Sequence, residues 1–487
     1  MQDLQEYIRE FMDCRGLSIT ALSEKLGYKS KTSLERILSG TSRKKSLDRF
    51  EEAMAQTFSL SRPELDALRQ TKQVTLYGRE EFRMNQEMWA FVQGRSDRSG
   101  AELHITQGET AVSLDARYEK LDRMQITVVN CQYVPGLLAL LEKFLARPGV
   151  QARHYLSDNG DSVRLVAAVS MLRGLFYRKN YEAYTASLPE REQNGRHSGV
   201  NDADIALFQY TDEQGQPMED VVVFHSSDSG RLLQLPAGAP SFAPLLGLDG
   251  QVFTPLKRTY FERSAFEDYV GYSRDYAALE YNRTVYKIKP DFCVDQIPVS
   301  IMLASLLRGT AANPDITPEP GFFEVLKALE DIYGRRVENT FSKRKHAYTI
   351  LKRNALRRFA LTGRTMDHFW MMAPYTVRER IDIFKQLLDQ QLHNPYIHMM
   401  LLKNNDALRD MEIAYYEGEG MLFLEADTDY KLDEDHTEVL ITHPEMLAHF
   451  RKFYMDVLMQ DYVYPESETC RFFREIIAEL TKQLAAE

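Results

Sequence analysis

The side chains whose types and spacing suit a chemical task cluster near the start of the chain. Lys29, Ser30, Lys31, Thr32, Ser33 and Arg36 lie within one short stretch, and Arg43, Lys44 and Lys45 follow it. Lysine and arginine neutralise phosphates or bond guanine edges, and serine and threonine hydroxyls serve base or phosphate. Eight basic residues against two acids, Glu35 and Asp48, fall between Lys25 and Arg49. Residues 1–50 sum to +3 and the remainder to −14, within a net charge of −11. Local positive potential attracts phosphate, and an acidic body keeps the rest of the protein off a duplex. Contact with double-stranded DNA is the expectation, with Lys29 to Arg36 at base edges and Arg43 to Lys45 on phosphates.

Elsewhere the chemistry is thin. His225-Ser226-Ser227-Asp228 brings three reactive types to one strand end, but adjacent residues point in different directions, so it does not read as a triad. No GxGxxG follows a strand, and GxxxxGK[ST], HExxH and GxSxG are missing. Glu417-Gly418-Glu419-Gly420 has acids where a phosphate loop needs bare N–H groups and reads as a hairpin turn. His393 and His398, or His436, His443 and His449, lack zinc-ligand spacing. The cysteines, Cys14, Cys131, Cys293 and Cys470, form no CxxC and read as buried or incidental thiols. These absences predict no enzyme, no catalytic residue, no metal and no cofactor. One further basic run holds Lys343, Arg344, Lys345, Lys352, Arg353, Arg357 and Arg358, with Tyr348, Leu351, Leu356 and Phe359 as an inner face. It reads as a basic helix, either solvated against the acidic stretch Asp427–Glu438, or an anionic-ligand or second nucleic-acid site.

The elements that must position the first cluster are short helices. Leu4, Tyr7, Ile8, Phe11 and Met12 share one helical face, and Gly16 ends that helix. Ser18 caps a second, Ile19–Leu26, and Gly27 stops it. Thr32-Ser33-Leu34-Glu35 reads as a capping box opening a third, closed by Gly40. Ser46 is expected to cap a fourth, with Leu47, Phe50 and Met54 inward, and Ser61-Arg62-Pro63-Glu64 to open a fifth. Residues 79–94 make a linking helix. Residues 2–68 resemble the lambda-repressor-like (Xre-type) helix-turn-helix family, most specifically in Leu22-Ser23-Glu24-Lys25-Leu26-Gly27-Tyr28 and Ser39-Gly40. Ser23 stands where that family has a small Ala, and the turn before the third helix is one residue long. The resemblance implies that the third helix enters the major groove.

From about residue 100 strands alternate with helices, and their order repeats. Gln125–Val129, Pro135–Leu145 and Ala152–Leu156 form one βαβ unit; His368–Ala373, Val377–Leu392 and Tyr396–Leu402 form its counterpart. Ala203–Phe208 with Val221–Phe224 matches Met411–Tyr416 with Met421–Leu424. Each copy then runs into a strand, a proline and an aromatic-rich helix, at Val252–Pro255 and Val439–Pro444. Such a pair is distantly similar to the duplicated phospholipase D superfamily. That family sets a His two residues before a Lys in each half, and no His of this chain is so followed. The resemblance therefore implies a degenerate copy.

At 487 residues, 44% hydrophobic and 27% charged, the chain suits several globular domains. The expected fold is an all-α helix-turn-helix head followed by a duplicated α/β body with a helical insert. Its parts are a head over 1–68, a helical linker over 69–100, α/β halves over 101–295 and 366–487, and a helical connector over 296–365. The opening MQDLQEYIRE is no signal peptide and no apolar run suits a bilayer, so a cytoplasmic location is expected. The function expected first is a bacterial-style, homodimeric transcription regulator with a sensing body that takes a small-molecule or peptide ligand. The alternatives are a nucleotide- or phosphodiester-related effector enzyme recruited by the head, and a protein-binding scaffold.

Overall fold

A computed structural model describes residues 2–41, 44–93, 103–157, 162–176, 178–187, 203–235, 240–246, 248, 251–256, 266–290, 292, 296–312, 322–342, 345–365, 372–405, 408, 411–425 and 439–486. The chain divides into two units, Met1–Trp89 and Ala90–Glu487.

The first unit is helical: α1 (Leu4–Arg15), α2 (Ile19–Lys25), α3 (Lys31–Leu38), α4 (Lys44–Phe58), α5 (Arg62–Tyr77) and the start of α6 (Arg79–Gln93). Local chemistry sets the ends. Asp3 and Glu6 close a reciprocal capping box on α1, and Gly16 stops it in the left-handed region that a Cβ disfavours. Ser18 caps α2 and Ser61 opens α5, as expected. Two caps differ. Ser30, not Thr32, caps α3, accepting from the Ser33 N–H at 3.3 Å, and α4 starts at Lys44, leaving Ser46 inside its first turn. In both cases a helix former just upstream extends the helix by a turn or less. Leu4, Ile8, Phe11, Leu22, Leu34, Leu47, Phe50 and Leu68 share one core.

The second unit carries two mixed sheets among the described residues, with helices packed on them. Sheet A is built from β1 (His104–Gln107), β2 (Thr110–Val112), β3 (Met124–Val129), β4 (Val150–Ser157), β5 (Tyr181–Ser187), β6 (Asp204–Thr211), β7 (Pro217–Phe224), β8 (Ser229–Gln234) and β9 (Val252–Pro255). Helix α7 (Leu114–Tyr118) precedes β3, while α8 (Pro135–Phe144) and α9 (Ser162–Phe176) make the crossovers between parallel β3, β4 and β5. Sheet B has β10 (Val285–Lys289), β11 (Ala347–Leu351), β12 (Ile397–Leu401), β13 (Met411–Tyr416), β14 (Gly420–Glu425) and β15 (Val439–Ile441). Its helices are α10 (Phe266–Glu280), α11 (Val299–Ala312), α12 (Phe322–Ser342), α13 (Arg353–Thr362), α14 (Val377–His393), α15 (Pro444–Phe453), a π-helical segment Tyr454–Tyr462, and α16 (Glu466–Ala486).

The strand order β8-β7-β6-β3-β4-β5 in sheet A is repeated as β15-β14-β13-β10-β11-β12 in sheet B. The repeat expected from the sequence is present, but its register moves by one βα unit. The first strand of the second copy is β10, not His368–Ala373, of which residues 368–371 lie outside the described residues and Met372–Ala373 form no strand. β15 pairs with β14, whereas β9 pairs with β5, so Val439–Ile441 corresponds to β8 and not to Val252–Pro255. The basic helix expected around 341–359 is interrupted by β11, a central parallel strand; helix resumes only at Arg353. The 296–365 connector is therefore not wholly helical.

Burial explains the error. Every residue of β10, VYKIK, is buried, so its two lysines break the apolar alternation that marks a half-exposed strand. Core residues from α11 to α14 and α16, including Leu329, Phe359, Phe384 and Phe473, cover sheet B. Gly363 ends α13 at φ +67°, where a Cβ would stand 2.3 Å from the Tyr375 carbonyl oxygen. Only glycine fits that approach.

Candidate functional site

The residues expected to bind DNA are exposed on the first unit. Lys29, Ser30, Lys31, Thr32, Ser33 and Arg36 line the start and outer face of α3; Lys45 is exposed on α4, Lys44 is half-buried, and Arg43 lies outside the described residues. Part of that set serves the helix itself. Ser30 and Ser33 hydroxyls bond each other at 3.0 Å, and Lys31 faces Glu35 at 3.7 Å. The residues expected to form a ligand site at 343–353 do not come together. Lys343 and Arg344 lie outside the described residues, and Lys345 is exposed before β11. Lys352 is buried, its Nζ donating to the Leu408 carbonyl at 2.9 Å, while Arg353 lies over the Phe472 ring at 4.9 Å. A strand has split what looked like one helical face.

A different set converges beneath sheet B. Lys287 and Lys289 occupy alternate positions of β10 and so share one face, as period two requires. β13 runs antiparallel beside them and brings in Glu412 and Tyr416. α10 adds Glu280 and Tyr276, and α12 adds Arg336. Glu280, Lys289, Glu412, Arg336 and Lys287 are 1%, 4%, 4%, 6% and 7% exposed, so five ionisable groups sit away from water. Lys287 Nζ donates to Glu280 Oε1 at 2.8 Å, and Arg336 Nε donates to Glu280 Oε2 at 3.1 Å. Lys289 donates to Glu412. The Arg336 guanidinium also lies 5.1 Å from the Tyr276 ring centroid.

Tyr416 is fully buried beside these charges, and its hydroxyl has no hydrogen-bond partner. Burial, and then the nearby Glu280 carboxylate, push its pKa well above the ordinary tyrosine value, so it stays a neutral donor. The cluster lies where β10 has a parallel neighbour, β11, on one side and an antiparallel one, β13, on the other. Ligands of open α/β sheets bind near such switches in strand order. No member of this cluster stands out as a site residue in the sequence. The available signal was Val285-Tyr286-Lys287-Ile288-Lys289, a β-prone run with two lysines in phase.

No family model and no curated protein matches the chain. Among solved structures, a phosphatidylserine synthase from Haemophilus influenzae aligns over 75% of this chain and 89% of its own, at 11% identity and a TM-score of 0.26. The neighbour found is thus an enzyme, and the expectations of a DNA-binding, Xre-family transcription regulator and of no enzymatic activity are corrected on that finding. At that TM-score neither its activity nor its substrate is carried over. No helix among the described residues is long and apolar enough to cross a membrane.

Proposed function

We propose that the second unit is a nucleotide- or phosphodiester-related effector enzyme that takes the phosphate of its substrate at the buried cluster of sheet B. The observation that carries this reading is the Tyr416 hydroxyl, a buried donor without a partner amid five buried ionisable groups. Leaving such a group unpaired costs about 1–3 kcal/mol, which a bound acceptor recovers. Lys287, Lys289 and Arg336 supply donors for phosphate oxygens, and Glu412 is a carboxylate able to take a proton from water. Strongly buried ionisable groups also gather at functional sites more often than elsewhere. The helical first unit, whose helix order is that of the helix-turn-helix resemblance, serves in this reading to recruit the enzyme.

The test is turnover of bis(4-nitrophenyl) phosphate by the full chain, followed as release of 4-nitrophenolate. Wild type is expected to release it, and Tyr416→Phe to do so about tenfold more slowly. Release no faster than in buffer contradicts the assignment.

A further inference from the structure

The opposite face of sheet B carries a row of rings. His398, Tyr348, Tyr286 and Tyr415 are register partners on adjacent strands β12, β11, β10 and β13. Their neighbouring centroids lie 4.5, 5.3 and 5.5 Å apart, all stacked. His346, just before β11, stacks on His398 at 5.1 Å and meets Tyr396 edge-on at 5.4 Å. Its Nδ1 lies 2.9 Å from His398 Nε2, and His398 Nδ1 lies 2.8 Å from Oε1 of Glu466, the first residue of α16. Three ionisable groups from three elements are thus joined end to end.

The order of the atoms fixes the protons. A carboxylate only accepts, so His398 Nδ1 carries hydrogen and its Nε2 lone pair accepts from His346 Nδ1–H. His346 Nε2 is then left as a lone pair on a half-buried ring at the surface. Among the described residues, the charged and titratable groups around the pair include Glu466 on α16, Tyr348 on β11, Tyr396 ahead of β12 and exposed Lys345, with Tyr286 and Arg451 acting on Tyr348.

We propose that Glu466, His398 and His346 form a proton relay that hydrolyses uncharged carboxylic esters at this face, a site separate from the buried cluster. As the oxygen of water adds to the ester carbonyl carbon, its proton passes to His346 Nε2. The Nδ1 proton of His346 moves to His398 Nε2, and the doubly protonated His398 is held by the Glu466 carboxylate. Reversal of the same path delivers a proton to the departing alkoxide as the C–O bond breaks, giving one acid and one alcohol. The half-buried ring of Tyr396, edge-on to His346, offers an apolar flank for an aryl group. An ester suits the site better than a phosphodiester. The transferring phosphoryl group is already anionic and needs clamping cations, whereas the group inside this relay is a carboxylate.

The experiment uses the full chain and 4-nitrophenyl acetate, with His346→Ala and Glu466→Gln. His346→Ala is expected to lower the rate about 10²-fold, the scale of general-base catalysis. The Glu466 side chain is 45% exposed, so its substitution spares the fold. Removing that carboxylate leaves the doubly protonated His398 without its acceptor, so kcat falls about tenfold while KM stays in place. A merely structural Glu466 would lower the melting temperature and leave kcat in place. Adenosine monophosphate, added as a competitor for the phosphate site, is expected to leave ester hydrolysis unchanged, which separates the two sites. Equal rates for wild type and His346→Ala, or an unchanged kcat in Glu466→Gln, overturn the relay.

Discussion

Sheets A and B share a strand order, yet the tyrosine hydroxyls beside their buried carboxylates are in opposite states. In sheet A, Asp220 on β7 is fully buried and saturated. Arg117 Nε donates to it at 2.7 Å, and the Tyr118 and Tyr210 hydroxyls donate at 2.9 and 3.0 Å. Burial pushes the Tyr118 pKa far up, with the Asp220 charge second, so its proton stays on oxygen. In sheet B, Glu280 binds Lys287 and Arg336, while Tyr416 beside them has a hydroxyl bonded to nothing. A saturated site is explained by the fold alone, because every buried group has its partner. An idle buried hydroxyl within a charged cluster points to something that binds there.

The comparison can be broken most forcefully at the carboxylates. Glu280→Gln is expected to destabilise the second unit by about 3–5 kcal/mol, because it strands the buried Lys287 and Arg336, and Asp220→Asn to cost less, because its partner Arg117 is only half-buried. Thermal unfolding checks this, and a near-neutral Glu280→Gln would mean that the cluster of sheet B is not truly shielded. Next comes His154 on β4. Burial pushes its pKa down to about 4, and its ring bonds the Tyr181 hydroxyl at 2.9 Å and the Asn130 carbonyl. A histidine with a depressed folded pKa is protonated first in the unfolded chain, so stability is lost as pH falls from about 6.5 to about 4. The loss should be on the order of 3 kcal/mol when complete. His154→Gln should flatten the pH dependence of the melting temperature in that window; an unchanged slope rules His154 out as its source.

The smallest effects sharpen the contrast. Tyr118→Phe removes a hydrogen bond to a charged group and should cost about 1.5–3 kcal/mol. Tyr416→Phe, equally buried, removes no hydrogen bond and should cost nothing or stabilise slightly. Equal losses in the two variants would erase the difference between the sheets.

The sequence shows much of this fold and little of the site. Amphipathic spacing at Leu4, Ile8 and Phe11, with Gly16 behind it, marks α1 correctly, because a surface helix advertises its buried face. β3, α8 and β4 are equally plain. β10 is not, since Lys287 and Lys289 look like surface residues until Glu280 and Glu412, distant in sequence, are seen to pair with them. β11 is hidden for the same reason, enclosed by bases from Lys343 to Arg358. The head drew a functional assignment because its basic rim is local and contiguous, whereas the cluster and the His346–His398–Glu466 chain exist only after folding.

The central claim is that the idle hydroxyl of Tyr416 serves a phosphate-bearing ligand. Its most direct test is the melting temperature of the second-unit transition in full-length wild type and Tyr416→Phe, each with and without adenosine monophosphate. A ligand at a hundred times its Kd adds about 2.7 kcal/mol to the folded state. The prediction is a melting temperature in Tyr416→Phe equal to or slightly above wild type without ligand, a clear rise in wild type with it, and a smaller rise in Tyr416→Phe. No rise in wild type, or the same rise in both, would contradict it.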